Sequence, residues 1–103
     1  MLNRKQSDFM KALGKLLCYI YENGYRVTGG DLFATTGHRK SSCHYIRLAI
    51  DLNVFPKEGD FPLSGKDADD AHNFLHDYWD TLGGAERIED DLNHYSFEHN
   101  GRR

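Results

Sequence analysis

From Ser7 to Asn23 the apolar residues Phe9, Leu13, Leu16, Leu17 and Ile20 recur every three or four positions, the interval that lines one face of an α-helix. Ser7 can cap the start and Gly24 suits the left-handed position past the end, so the spacing predicts an amphipathic helix over 7–23. "YRVT" at 25–28 suggests a short strand. The following "GG" and "DLFATTGHRKSS" cluster Gly, Thr and Ser without periodicity, which predicts a loop. The pattern then changes period. From Arg47 to Val54, Leu48, Ile50, Leu52 and Val54 alternate with Arg47, Ala49, Asp51 and Asn53, so a half-buried strand is predicted with Asp51 on its polar face.

"FPKEGDFPLSG" reads as a turn-rich connection, because Pro56 and Pro62 disfavour an interior strand or helix. A second helix follows. Ser64 with Asp67 resembles a capping box, Ala68, Ala71, Leu75, Tyr78 and Leu82 form its apolar stripe with Phe74 and Trp79 as flanks, and Gly83-Gly84 end it. "HYSFE" at 94–98 alternates again, placing His94, Ser96 and Glu98 opposite Tyr95 and Phe97. Helix, strands, helix and strand predict an α+β fold, with helices packed on one face of a small, mainly antiparallel sheet.

At 103 residues and 39% hydrophobic content, the chain is expected to be a single domain over 1–103, with room for one core. The net charge of −3 and the lack of a long basic run argue against a nucleic-acid partner. Cys18 and Cys43 are too few for a disulfide framework, so both are expected as free thiols. No stretch reaches the ~20 apolar residues that span a bilayer, and the first residues lack the core and cleavage site of a signal peptide. The expectation is a monomer made in the cytoplasm, with no membrane partner.

The two predicted strands each carry metal-binding side chains on a polar face, His44 with Asp51 from the first and His94 from the last. Two imidazoles and a carboxylate match an open catalytic zinc site, which keeps a fourth position for water. Asp91, three residues before His94 in "EDDLNHYS", is placed to act as the base; Asp90 is its neighbour and rival. Taken singly, each of these residues reads as an ordinary surface group, and only their combination favours a metal. Cys43 should point away from its neighbours Ser42 and His44 in an extended segment, and Cys18 reads as packing at the edge of the first helix. His72 and His76 in "HNFLH" have the spacing of a helical metal pair but fall outside the expected stripe, so they read as an exposed face. His38 and His99 read as loop or terminal polar residues.

Ser42-Cys43-His44 with Ala49-Ile50-Asp51 resembles the S-x-H-x-x-G-x-A-x-D motif of the zinc D-alanyl-D-alanine carboxypeptidase family, which includes phage L-alanyl-D-glutamate endolysins. Arg47 stands where the motif has glycine, as in the small phage subgroup. "DLNHYS" resembles the family's acidic-x-x-His element. "YENGYRVTGGDLF", "LNVF", "FLHDYWDTLGG" and "HYSFEHNGRR" extend the similarity over nearly the whole chain. The resemblance implies a hedgehog/D,D-peptidase-like fold, one zinc ion on His44, Asp51 and His94, Asp91 as catalytic base, and Ser42 in support of the His44 loop. Its implied substrate is the peptidoglycan stem peptide, cut at L-alanyl-D-glutamate, with access to the host cell wall following holin-type release. Many small phage members carry an arginine where this chain has Ala34; His38, Arg39, Lys40 and Arg47 are the candidates to take its place against substrate. Two other readings fit the same residues: a D,D-carboxypeptidase or dipeptidase, and a non-catalytic zinc-containing domain that binds peptidoglycan or a partner.

Overall fold

A computed structural model describes residues 2–30, 47–101 and 103. The chain runs α1 (Leu2–Glu22), β1 (Tyr25–Gly29), β2 (Ala49–Pro56), α2 (Gly65–Thr81) and β3 (His94–Ser96). The strands pair in the order β1-β2-β3, antiparallel throughout. Two helices and a small three-stranded sheet make the architecture α+β.

The predicted helical spacing becomes the buried face of α1, where Phe9, Leu13, Leu16 and Ile20 lie in one cluster with Ile50, Leu52 and Val54 of β2 and with Ala71, Leu75 and Trp79 of α2. The helix starts at Leu2 instead of Ser7. Leu2 packs against the core, and the good helix formers Arg4, Lys5 and Gln6 carry the helix back to it, so Ser7 lies inside. β2 also shifts. Arg47 has a φ of 59°, a left-handed turn conformation that no strand accommodates, so pairing begins at Ala49 and runs on to Pro56, opposite Tyr25.

The buried face of α2 is rotated from the predicted stripe: Ala71, His72, Leu75, His76 and Trp79 are buried, while Ala68, Tyr78 and Leu82 are half-buried. Trp79 decides this. Its indole is fully buried, meets Phe9 and Tyr95 edge-on at 5.8 and 6.0 Å, and donates Nε1–H to the Ser96 carbonyl at 3.0 Å. Gly84 makes room for it, since a β-carbon there would come within 2.1 Å of the indole. Turning Trp79 inward brings His72 and His76 with it, because positions i, i+4 and i+7 share a face. Ser64 does occupy the N-cap position, but its side chain makes no cap hydrogen bond, so the expected capping box is not formed. Asp67 in the first turn favours the helix through the macrodipole instead. Among the described residues, no helix is long and apolar enough to cross a membrane.

Candidate metal centre

The β2–β3 register places Asp51 directly opposite His94, with Ile50 opposite Tyr95 one residue along. Alternation then separates two chemistries: Ile50 and Tyr95 join the core, and Asp51 and His94 share the other face. The chain entering β3 is fixed by Leu52 N–H to Asn93 O at 2.9 Å and by His94 N–H to Asp91 O at 3.1 Å. That turn folds Asp91 back toward the imidazole that follows it. Further upstream, Arg87 bridges Asp77 and Asp80 at 2.8 and 3.0 Å, docking the connection that carries Asp91 onto α2.

His94 Nδ1 lies 3.5 Å from Asp51 Oδ1 and 4.0 Å from Asp91 Oδ2. One ligand atom from each of the three residues falls within 4.8 Å of the other two, so Asp51, Asp91 and His94 could hold a metal ion. Burial is graded across them, with side-chain exposures of 5% for His94, 22% for Asp51 and 45% for Asp91. The set is chemically suited to a divalent cation: two carboxylates this close repel one another unless a positive charge lies between them, and an imidazole with carboxylates fits zinc as well as iron, cobalt or manganese. Gly30 shapes the same spot. Its N–H donates to Asp51 O at 2.6 Å, and a β-carbon on it would lie 3.2 Å from both Asp51 O and Asp51 Cβ.

Of the residues singled out by sequence, Asp51, His94 and Asp91 come together. His44, Ser42, His38 and Arg39 lie outside the described residues, as do Ala34, Lys40 and Cys43. Asp91 was expected as a base standing beside the ligands, and the geometry also allows it to be a ligand. Arg47 is exposed in its turn conformation and lines a shallow pocket with Gln6, Ser7 and Met10 of α1. Asp91 borders a different cleft. Cys18 is a free thiol, and it is exposed instead of packed in the core.

Asp91 opens onto a cleft of about 300 Å³, lined also by Asn53, Leu63, Asp69, His72 and Asn93. Here the expectation of exposed histidines fails most clearly, since His72 and His76 are 6% and 1% exposed. His72 Nδ1 is 2.7 Å from the Tyr95 hydroxyl, and His76 stacks on the Tyr95 ring at 4.1 Å with 8° between planes. His76 Nε2–H donates to Leu92 O at 2.8 Å, and its Nδ1 has no hydrogen-bond partner among the described residues. A carbonyl can only accept, so Nε2 carries the proton and Nδ1 is the bare nitrogen of a neutral ring. Burial pushes the His76 pKa down to about 4, lowers that of His72, and raises that of the Tyr95 hydroxyl. The sequence signal for this packing was present in the i, i+4, i+7 set His72, His76, Trp79.

Compared with known proteins, no family model, curated protein or solved structure matches this chain.

Proposed function

We propose that the chain is a zinc-dependent peptidoglycan peptidase of hedgehog/D,D-peptidase-like fold, hydrolysing the L-alanyl-D-glutamate bond of the stem peptide. The observation that carries this reading is the meeting of Asp51, His94 and Asp91, drawn from the middle strand of the sheet, its last strand and the turn that leads into that last strand. His44, Asp51 and His94 would hold the ion. Zinc, when bound, supplies Lewis acidity, bringing the pKa of water to about 7 and polarising a carbonyl. Asp91 is the most exposed of the three clustered side chains and borders the cleft, which supports a role for it in taking a proton from water and returning it to the departing amine. His94 and Asp51 are held by the β2–β3 pairing, which fixes their orientation before substrate arrives.

The experiment is digestion of purified peptidoglycan by the full chain, with zinc and with chelator, read by mass spectrometry of the released peptides. Chelator-sensitive cleavage between L-alanine and D-glutamate is expected. Release of terminal D-alanine would make the protein a D,D-carboxypeptidase, and zinc uptake without cleavage would make it a binding domain. Asp91→Asn should keep the metal and lose roughly 10²–10⁴ in rate. Loss of the metal in that variant would instead make Asp91 a ligand.

A further inference from the structure

A cleft of about 740 Å³ lies between the first half of α1, the turn after α2 and the segment after β3, and it shares no lining residue with the candidate metal centre. Its α1 wall carries Arg4, Lys5, Lys11 and Lys15. Arg4, Lys11 and Lys15 sit at i, i+7 and i+11, which is one face of the helix over about 16 Å of its length. Lys5 is occupied in structure, donating to Glu98 O at 2.5 Å. The other three cations make no ion pair among the described residues, even though Asp8 lies in their stripe.

The placement of these charges opposes what stabilises a helix. α1 has no acidic residue in its first turn and no basic residue in its last, so Arg4 and Lys5 stand at the positive end of the macrodipole. The chain has acids to spare, at a net charge of −3, yet Asp67, Asp69, Asp70, Asp77 and Asp80 are gathered on α2. A stripe kept positive against local electrostatics, along a cleft, is complementary to a linear anion. Of the aromatic side chains lining the cleft, Phe97 is already engaged, meeting Phe9 at 5.6 Å, which leaves His99 as a single ring at its edge and not the run of platforms that successive bases stack on. Met10, the exposed apolar residue of this half of α1, lies about a third of a turn from the stripe, so the basic face lacks the apolar anchor of a membrane-surface helix.

We propose that this cleft binds a linear phosphodiester polymer without bases, a polyol phosphate, through Arg4, Lys11 and Lys15. The proposal does not depend on the peptidase reading. The test is titration of the full chain with fluorescently labelled poly(glycerol phosphate) at different salt concentrations. Three neutralised phosphates give a slope of log affinity against log salt of about −2, so binding weakens about twenty-fold between about 50 and 200 mM salt. Lys11→Gln should flatten the slope to about −1.4, and Lys11→Gln with Lys15→Gln to about −0.7. Circular dichroism checks that each variant folds, and the slope of the unaltered chain decides the matter even where one does not. Absence of salt-dependent binding at low salt would overturn the proposal, as would a slope unchanged in the double variant. Tighter binding of an oligothymidylate of equal charge would replace it with a nucleic-acid site, and tighter binding of anionic vesicles with a membrane surface.

Discussion

Acid should loosen this fold through His76. The ring is 1% exposed, and burial lowers its pKa from 6.5 to about 4, with the Leu92 carbonyl opposing only part of that shift. The unfolded chain therefore takes up the proton first. The stabilisation is fully present above about pH 6.5 and is lost as the pH falls toward about 4. By about pH 5 the difference amounts to about 2 kcal/mol, a sizeable part of the 5–15 kcal/mol of an ordinary domain. His72 shifts in the same direction, and the acids titrate as well, so the comparison that isolates His76 is with His76→Phe. That variant keeps a ring on Tyr95, loses the donor to Leu92 O at every pH, and cannot titrate. Urea unfolding at about pH 7.5 and pH 5 should show the unaltered protein losing about 2 kcal/mol more than the variant. Parallel losses in the two proteins would refute the reasoning and mean that the ring reaches water.

Gly84→Ala drives a β-carbon into the Trp79 indole and should cost about 1–3 kcal/mol, read as a lowered thermal midpoint with altered tryptophan fluorescence. Gly30→Ala presses on Asp51 at 3.2 Å and should weaken zinc uptake by about 10-fold while leaving the midpoint of the metal-free protein within a few degrees; calorimetric titration measures the first and a melting curve the second. Asp51→Asn removes the carboxylate opposite His94 and should abolish zinc uptake in the same titration, with circular dichroism unchanged.

Much of the architecture was legible from period alone. The apolar spacing of Phe9, Leu13, Leu16 and Ile20 and the alternation of Ile50, Leu52 and Val54 each predicted the face that is buried, because one-sided burial is what these periods encode. The polar face of β2 was readable for the same reason at Asp51 and Asn53, but Ala49, expected on that face, is fully buried in the core. The inward turn of α2 was not legible. Ala68, Tyr78 and Leu82 offered a plausible stripe, and only the space left by Gly84 and the carbonyl of Ser96 shows why Trp79 wins the interior. His72 and His76 were misplaced with it, since a histidine looks polar until a tyrosine hydroxyl and a backbone carbonyl are found to satisfy it. The turn at Arg47 was missed because strict alternation gives no hint of a positive φ. Within the candidate site, the pairing of Asp51 with His94 depends on strand register, a long-range property that neither strand specifies by itself.

The last strand is only three residues long, and the side chains it shares with its neighbour across the register belong to distant parts of the chain. A cation held by Asp51 and His94 would thus act as a rivet between the chain's middle and its tail. Loading that rivet at a hundred times its dissociation constant would add about 2.7 kcal/mol to the fold, making thermal resistance a direct gauge of occupancy.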